Sequence, residues 1–299
     1  MEQLVAVSRR LPPWVRNPHS KPEAVHGLKT KFRRLGLNTV CESARCPNLN
    51  ECFHNGTATF LILGDDCTRR CGFCAVPHRS GAGETRPVEP EEPENVAAMA
   101  AELKLRHAVI TSVTRDDLAD GGAAHFARTV HCVRAALPET RIEVLTPDFQ
   151  GNEGALARVI EARPDVFNHN LETVPRLYPE VRPQADYQRS LRVLEFAARH
   201  SRGAQTKSGL MVGLGETPAE VTKVLRDLLE AGVEVVTIGQ YLQPTLRNLP
   251  VAEYVVPAQF DAYREYGLEI GFRAVLSGPL VRSSYLAEQT HKSSRQARC

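Results

Sequence analysis

The sequence predicts an α/β protein that forms a partial (β/α)6 TIM-like barrel with N- and C-terminal extensions. From Thr59 onward, short apolar runs of strand character alternate with amphipathic stretches of helical period. The apolar runs are six in number, near residues 60, 108, 142, 166, 206 and 235. Parallel strands joined by right-handed crossovers either curl into a barrel or lie in an open sheet, and six such units favour the partial barrel.

The predicted elements follow one another in a regular order. We expect strands at 59–64, 107–112, 141–147, 165–172, 205–213 and 234–242. We expect helices at 90–105, 124–137, 154–163, 187–200 and 218–232, where apolar residues recur three or four positions apart. A further helix near 257–269 and an apolar run at 270–278 follow the barrel.

Three regions are expected along the chain. Residues 1–58 contain five prolines and little periodicity, which is typical of an extended arm that is ordered by docking and by metal. The barrel is expected to span 59–244, and residues 245–299 form a C-terminal extension. The chain has no fixed-period repeat and no low-complexity linker, so two independently folding domains are not predicted.

Composition narrows the class of protein. The 299 residues are 42% hydrophobic and 24% charged, enough to bury a globular core. The net charge of +2, with both signs spread along the chain, argues against the basic face that nucleic-acid binding requires. No run approaches the roughly 18 apolar residues of a membrane span, and the first residues are too charged for a secretory signal. We expect a cytoplasmic protein with neither nucleic acid nor membrane as a partner.

Six of the eight cysteines lie between Cys41 and Cys74, and in a reducing compartment such crowding indicates metal ligation. Cys67, Cys71 and Cys74 form a C-x3-C-x2-C trio after the first predicted strand, at the end of a barrel where active sites lie. Three thiolates on a four-iron cluster leave one iron open to an exogenous ligand. The alternatives are a zinc knuckle and an electron-transfer cluster, but zinc sites usually pair two C-x2-C arms and no second arm follows Cys74.

A second trio lies upstream. Cys41, Cys46 and Cys52 form C-x4-C-x5-C, again with no fourth cysteine nearby. Two adjacent trios indicate two clusters with different roles. His54 could instead complete a Cys3His zinc site with the upstream trio, and this alternative stays open.

The two remaining cysteines have simpler interpretations. Cys132 occupies an apolar position of the predicted helix 124–137 and is expected to be a buried small hydrophobe. Cys299 is the last residue and is expected to be incidental. Either could in principle supply a fourth cluster ligand.

Polar residues mark the predicted strand ends. Thr111 ends the strand 107–112. Alternation along 165–172 sends Asn168, Asn170 and Glu172 to one face, where polar groups in a barrel interior need partners. Lys207 lies on the strand 205–213, where a buried ammonium demands an anion, and the alternative is a lysine at the solvent end of that strand.

The C-x3-C-x2-C spacing, with the aromatic Phe73 before its last cysteine, resembles the signature of the radical S-adenosylmethionine (SAM) superfamily. With the upstream C-x4-C-x5-C and the R-S-S-Y segment at 282–285, the chain resembles the lipoyl synthase family over essentially its whole length. The resemblance implies that Cys67, Cys71 and Cys74 hold a 4Fe–4S cluster whose open iron chelates the amino and carboxylate groups of SAM.

The resemblance also implies an auxiliary 4Fe–4S cluster on Cys41, Cys46 and Cys52, with Ser283 as its fourth ligand and Ser284 as the alternative. From sequence alone, Ser283 is a surface hydroxyl in a polar tail. A hard serine oxygen holds iron at this soft site less firmly than a thiolate does. A weakly held iron suits a cluster that surrenders its sulfides.

SAM contacts are implied for five residues, with Lys207 facing the SAM carboxylate and Glu172 the ribose hydroxyls. The five residues are Phe73, Thr111, Asn170, Glu172 and Lys207.

The implied activity is that of a sulfurtransferase of lipoate biosynthesis. Two sulfur atoms enter carbons 6 and 8 of an octanoyl group held on a lysine of a carrier protein, and two SAM molecules are used per product. The implied partners are octanoylated lipoyl domains of 2-oxoacid dehydrogenase E2 subunits and the glycine cleavage H protein, with a ferredoxin or flavodoxin as electron donor.

Two alternative functions remain open at this stage. One is another radical SAM enzyme with an auxiliary cluster, such as a biotin-synthase-like sulfur inserter, which does not explain the upstream trio together with R-S-S-Y. The other is a non-catalytic zinc or iron–sulfur binding module.

Overall fold

The computed structural model describes residues 11–16, 30–43, 46, 48, 57–78, 86–201 and 203–284. Its strands are β1 (Asn38–Thr39), β2 (Thr57–Ile62), β3 (His107–Ser112), β4 (Arg141–Leu145), β5 (Val166–Asn168), β6 (Gln205–Val212), β7 (Val235–Gln240) and β8 (Ala274–Gly278). The α-helices with described bounds are α1 (Val40–Ser43), α2 (Glu92–Glu102), α3 (Ala123–Ala136), α4 (Glu153–Glu161), α5 (Tyr178–Val181), α6 (Tyr187–His200), α7 (Pro218–Glu230) and α8 (Pro257–Ile270). Short 3-10 helices lie at Pro13–Val15, Phe149–Gly151 and Pro175–Leu177.

The strands form one eight-stranded sheet in chain order, from β1 to β8. Strands β2 to β8 are parallel to their neighbours, and β1 runs antiparallel to β2. The six predicted strands are β2 to β7, so the predicted partial barrel is confirmed. Each extension adds one edge strand, β1 or β8, that the sequence pattern did not assign. Within the described chain β1 and β8 do not pair, and the sheet stays open.

The two extensions meet across this open edge. The Asn48 Nδ2 donates to the carbonyl oxygen of Leu280 at 2.6 Å. The hydroxyl of Thr59, on β2, donates to the hydroxyl oxygen of Ser284 at 3.0 Å. Side-chain hydrogen bonds therefore connect the chain around β2 with the segment that follows β8, where a closed barrel would have a strand ladder.

Helix α7 shows how local sequence determines an element. Thr217 is its N-cap: the Thr217 hydroxyl accepts from the Glu220 backbone N–H at 3.3 Å, and the Glu220 carboxylate accepts from the Thr217 N–H at 2.8 Å. Pro218 at the first helical position lacks the N–H that would be unsatisfied there. The buried residues recur at helical spacing, and each stabilises the fold by about 1.5–3 kcal/mol through loss of water contact. They are Val221, Val224, Leu225 and Leu228.

The helices cover the outside of the sheet in two apolar clusters. One cluster packs α2, α3 and α4 against the first strands and includes Phe60, Met99 and Phe126. The other packs α6, α7 and α8 against β6 to β8 and includes Leu225 and Phe260. No helix in the described part of the chain is long and apolar enough to cross a membrane.

A buried polar network crosses the barrel interior below the carboxyl ends of the strands. The Lys207 ammonium on β6 donates to both oxygens of the Glu143 carboxylate on β4, at 3.0 and 3.2 Å. Asn168 on β5 donates to the same carboxylate at 2.8 Å, and His107 Nε2 on β3 lies 3.4 Å from it. Burial alone would raise the pKa of Glu143, but the charge of Lys207 together with His107 and Asn168 outweighs burial and lowers that pKa to about 2. The network joins four neighbouring strands.

This network bears on the expected role of Lys207. Lys207 is 2% exposed and is therefore buried as predicted. The anion that its ammonium contacts in the structure is Glu143, and Lys207 is not among the residues that line the cavity described below, so its contact with SAM stays a prediction. The sequence pattern could not reveal the pair because two residues on different strands meet only through strand register and barrel curvature.

Replacing Lys207 by Met should leave the Glu143 carboxylate buried without its counter-charge. We expect the free energy of unfolding to fall by about 3–5 kcal/mol. The urea midpoint of anaerobically prepared protein measures this loss, and the double variant Glu143→Gln/Lys207→Met should recover most of it. An unchanged midpoint for Lys207→Met, together with weakened SAM binding, would instead support the predicted contact with SAM.

Candidate active site

A cavity of about 960 Å³ opens at the carboxyl ends of the barrel strands. It is lined by residues at or near the ends of five successive strands, where the loops of a parallel barrel converge. These are Thr111, Thr146, Asn170, Met211 and Gln240. The cavity therefore collects side chains that are far apart in the sequence.

The cysteine loop, residues 67–78, follows β2 and carries the first trio into this cavity. Cys67, Cys71 and Cys74 all line it. The Cys67 Sγ accepts backbone N–H bonds from Arg69 at 3.4 Å and from Thr114 at 3.3 Å, and the Cys74 N–H donates to the Cys71 carbonyl at 3.1 Å. Three thiols on one tight turn could hold three corners of a four-iron cluster.

The protonation of these thiols bears on metal binding. Burial raises the pKa of Cys71 to about 11, although the charge of Arg182 opposes the shift, and raises the pKa of Cys74 to about 12. The thiols of Cys71 and Cys74 are therefore protonated at neutral pH when no metal is bound, and iron binding must displace their protons. Within the described ranges, no three His, Cys, Asp or Glu side chains converge on a single metal ion.

Arg69, inside the cysteine loop, anchors the loop to the ends of two neighbouring strands. The buried guanidinium donates to Asp116 at 2.7 and 2.9 Å and to Asp148 at 2.6 and 3.0 Å. Arg189 on α6 also donates to Asp148, at 2.8 Å. Burial would raise the pKa of Asp148, but the hydrogen bonds and charge of Arg69, together with the other groups around the carboxylate, outweigh burial and lower that pKa. Sequence reasoning missed Arg69, whose only signal was its place between two cysteines.

The upstream trio reaches the same cavity. Cys41 lies in the short helix α1, directly after β1, and is buried. Cys46 donates its backbone N–H to the Cys41 carbonyl at 2.9 Å, and both residues line the cavity. Burial raises the pKa of Cys46, and the nearby charge of Arg282 opposes that rise. Cys52 lies outside the described residues.

The serines of the R-S-S-Y segment both line this cavity. Ser283 accepts a hydrogen bond from Asn170 Nδ2 at 2.6 Å, and Ser284 accepts one from Thr59 at 3.0 Å. The two hydroxyls thus contact different strands, β2 for Ser284 and the chain just after β5 for Ser283. The segment comes to the cavity because it follows the edge strand β8.

Four of the five predicted SAM-binding residues line the cavity: Phe73, Thr111, Asn170 and Glu172. The Thr111 hydroxyl donates to the Leu145 carbonyl at 2.9 Å, and Asn170 donates to Glu172 at 3.0 Å. Burial raises the pKa of Glu172, with Arg182 opposing the rise. The four are brought together as expected, and their contacts with SAM remain a prediction.

The predicted alternation along 165–172 is wrong beyond Asn168. Strand β5 ends at Asn168, whose side chain joins the Glu143 network below the cavity. Glu172 has a positive φ of 66°. The chain therefore leaves the two-residue period of a strand, and His169 lines the cavity together with Asn170 and Glu172.

His169 is a cavity residue that the sequence did not single out. Its Nδ1 lies 2.8 Å from the Thr146 carbonyl, which can only accept, so Nδ1 carries the proton. Burial lowers the pKa of His169 to about 4, so the ring is neutral at pH 7 and Nε2 is a bare acceptor.

Arg182 is a second such residue, and its sequence context gave no signal. It is 9% exposed and lines the cavity. Its Nη1 donates to the carbonyls of Asn170 and Leu171, both at 3.0 Å, and its guanidinium lies 5.4 Å from the ring centre of Tyr178. These contacts hold a cation beside the cysteine loop.

Orphaned polar atoms test whether this cavity fits a polar ligand. Thirteen buried side-chain polar atoms have no hydrogen-bond partner among the described residues, although buried polar groups are normally paired, and five of the thirteen belong to residues that line the cavity. These five are Ser112 Oγ, Thr146 Oγ1, His169 Nε2, Asn170 Oδ1 and Arg182 Nε. A ligand with several donors and acceptors, as SAM has, fits this set, and the thiols fit a 4Fe–4S cluster.

The remaining candidate ligands lie elsewhere. Cys132 is on α3, partly buried against the first apolar cluster, with its thiol 3.8 Å from Glu94. It is not a cavity-lining residue. His54, Tyr285 and Cys299 lie outside the described residues.

Comparison with known proteins matches this architecture. Residues 61–239 match the model of the radical SAM superfamily. The methylornithine synthase structure superposes with a TM-score of 0.55 over 81% of this chain and 68% of that chain, at 14% identity. Coproporphyrinogen III oxidase from Escherichia coli superposes with a TM-score of 0.50 over 72% and 52%, also at 14% identity. These structural likenesses support the fold alone.

Sequence relatives are more specific. A lipoyl synthase of Rubrobacter xylanophilus is 54% identical over 287 residues, covering 96% of this chain and 88% of the relative. A lipoyl synthase of Alkaliphilus metalliredigens is 51% identical over 281 residues, covering 94% of this chain and 96% of the relative. The chain therefore belongs to the lipoyl synthase family of the radical SAM superfamily.

Proposed function

We propose that this chain inserts two sulfur atoms at carbons 6 and 8 of an octanoyl group held on a lysine of a carrier protein. One observation carries the proposal. Members of both cysteine trios and the serines of R-S-S-Y line a single cavity, so that a radical made at one trio and sulfur held at the other face the same enclosed space. The predicted division of the chain into 1–58, 59–244 and 245–299 is part of this proposal.

In this proposal Cys67, Cys71 and Cys74 hold a 4Fe–4S cluster. Bound together, the reduced cluster and SAM supply a 5′-deoxyadenosyl radical, which removes hydrogen from unactivated carbon. Two such hydrogens are removed per product, so two SAM molecules are used.

The chain's own polar groups would bind and orient SAM. Arg182 places a guanidinium beside the cysteine loop, where it can pair with the SAM carboxylate. Asn170 and Glu172 offer amide and carboxylate oxygens to ribose hydroxyls, and the bare Nε2 of His169 accepts from a further donor.

Cys41, Cys46, Cys52 and Ser283 would hold the auxiliary cluster, which is consumed as the sulfur substrate. An oxygen ligand binds iron at a soft site less firmly than a fourth thiolate would. A serine ligand would therefore leave one iron of the cluster more easily lost, which suits a cluster that supplies its sulfides to the substrate. Ser284 is the alternative ligand.

The octanoyl chain would lie between the two trios. Apolar side chains such as Val113, Leu145 and Leu210 line the cavity between its polar groups. They exclude water and hold the acyl carbons near the reacting groups. The carriers proposed are the E2 lipoyl domains and the glycine cleavage H protein, with ferredoxin or flavodoxin as electron donor and the cytoplasm as location.

The test of this function is anaerobic reconstitution followed by reaction with SAM, dithionite and an octanoylated carrier peptide. We expect about eight irons per chain, four in each cluster, and a peptide mass that has gained two sulfur atoms. Zinc at the upstream trio, or a single cluster per chain, would contradict the proposal.

Mutations in the two trios should have different effects on SAM cleavage and on product formation. Cys74→Ala should abolish 5′-deoxyadenosine formation, because it removes a ligand of the radical-forming cluster. Cys46→Ala should retain SAM cleavage and make no lipoyl product, because it removes a ligand of the sulfur source. Chromatography of 5′-deoxyadenosine and peptide mass spectrometry measure the two outcomes, and a loss of SAM cleavage in both variants would count against separate roles.

The serine ligand is tested by a matched pair. Ser283→Ala should lose sulfur insertion and keep SAM cleavage, whereas Ser284→Ala, which removes the contact with Thr59, should keep both. Mössbauer spectra of the auxiliary cluster should change in the first variant only. The reverse pattern would move the ligand to Ser284.

Arg182 should contribute to SAM affinity. Arg182→Met is expected to weaken SAM binding roughly 10- to 100-fold, the usual effect of losing a charge-assisted hydrogen bond. Equilibrium binding to the cluster-loaded protein measures it, with the unfolding midpoint recorded in parallel. Arg176→Met is the control, since Arg176 is exposed and pairs with Glu220. Equal SAM affinity in both variants would reject this role.

A further inference from the structure

The loop from residue 241 to residue 256, between β7 and α8, touches both the cavity and the cysteine loop. Leu242, Gln243, Pro244 and Leu246 line the cavity from this β7–α8 loop. The same loop packs on the turn 71–74, where the Leu249 backbone N–H donates to the Gly72 carbonyl at 3.0 Å. One segment thus contributes to the wall of the cavity and to the support of the cysteines.

The side chain of Asn248 donates hydrogen bonds from the β7–α8 loop to the cysteine loop. Its Nδ2 donates to the Cys74 carbonyl at 2.8 Å and to the Gly72 carbonyl at 3.3 Å. Both acceptors are carbonyl oxygens, which can only accept, so the orientation of the amide is determined. The Asn248 Oδ1 accepts from the Thr245 hydroxyl at 2.7 Å.

The backbone of Asn248 is also held in place by hydrogen bonds within the β7–α8 loop. The backbone carbonyl of Asn248 accepts a hydrogen bond from Gln243 Nε2 at 2.8 Å, and the backbone N–H of Asn248 donates to the Thr245 carbonyl at 3.1 Å. The Tyr241 hydroxyl donates to the Leu249 carbonyl at 2.7 Å. Asn248 is therefore a fixed donor and not a surface amide that happens to reach the cysteine loop.

The cysteine turn is held from its other side as well. The Gly72 N–H donates to the Val181 carbonyl at 2.9 Å. A Cβ on Gly72 would lie 2.8 Å from Leu249 Cδ1 and 3.2 Å from the Glu180 carbonyl, so the turn fits closely between α5 and the β7–α8 loop. The β7–α8 loop, which carries Asn248, also contributes Gln243, Pro244 and Leu246 to the cavity wall.

We propose that Asn248 is a positioning residue that fixes the cysteine turn to the cavity wall, so that the cluster and the octanoyl chain keep one separation. This inference rests on the proposed function, in which the turn holds a 4Fe–4S cluster. Without the two donated bonds, the backbone bond from Leu249 to Gly72 would still connect the two loops, but the turn could shift relative to the wall near Cys74. Radicals would then form at the wrong distance from the acyl carbons and be quenched without product.

The test uses three full-length variants. Asn248→Ala removes the amide, and Asn248→Asp keeps its volume and the bond from Thr245 but has no N–H to donate. Arg247→Ala is the matched control: Arg247 is exposed and adjacent, and its bond to Thr245 comes from the backbone N–H.

The first measurement is the number of 5′-deoxyadenosine molecules formed per lipoyl product. We expect it to rise at least about 3-fold in Asn248→Ala and Asn248→Asp and to stay unchanged in Arg247→Ala. A purely structural role would lower both yields together and leave this ratio alone.

The second measurement is iron release to a chelator, made in a Cys41→Ala/Cys46→Ala background so that only the cluster of the cysteine loop reports. Release should be about 5- to 10-fold faster in both Asn248 variants, as expected for the loss of a hydrogen bond that supports the turn.

The outcomes separate this inference from the proposed function. Wild-type values for Asn248→Asp in both measurements, or a lowered unfolding midpoint as the only change in Asn248→Ala, would overturn the role of Asn248 while the wild-type chain still makes product. Absence of 5′-deoxyadenosine and product from the wild-type chain would overturn the proposed function itself, and this inference with it.

Discussion

An open sheet leaves two edges that must be held together by something other than a strand ladder, and here the chain extensions do so. The bonds from Asn48 to Leu280 and from Thr59 to Ser284 span the gap. Because Cys41 lies two residues after β1 and Ser283 lies five residues after β8, the contacts that bridge the open edge also bring the upstream cysteines and the serines to one cavity. The same hydrogen bonds therefore hold the open edge of the sheet together and assemble the cavity.

Buried charged groups below and beside the cavity are paired, whereas several polar atoms that line the cavity lack a partner. Below the cavity, Glu143 and Lys207 neutralise each other, and beside it Arg69 is neutralised by Asp116 and Asp148. Such groups tolerate burial because each has a partner. The atoms left without partners in the cavity, on residues such as His169 and Arg182, represent a stability cost that a bound ligand can offset.

The features that could be predicted from the sequence are those that depend on residues close together along the chain. The period of α7 and its cap define that helix, and the spacing of Cys67, Cys71 and Cys74 places three thiols on one turn whatever surrounds them. Residues paired by register or curvature could not be found in this way. The Glu143–Lys207 pair depends on how β4 and β6 approach across β5, and the two-residue strand β1 is too short to carry a pattern.

The early end of β5 is a further example. Alternation could not foresee that the chain leaves the strand at Asn168 and brings His169 to the cavity. Arg182 and Asn248 carry no distinguishing neighbours in the sequence, and their roles arise from backbone carbonyls that they reach only in the folded chain. Tertiary hydrogen bonds to backbone groups are invisible to any local pattern.

Two cysteines of the upstream trio and the serines line one cavity but lie far apart along the sequence, and this separation has a consequence for how the protein is made. Chains emerge from the ribosome with the N-terminal part first. Cys67, Cys71, Cys74 and Asn248 are all synthesised before β8, whereas Ser283 is synthesised after it. In the proposed function, the protein ligands of the radical-forming cluster are thus complete first, and the ligand set of the auxiliary cluster is incomplete until residue 283 has been added.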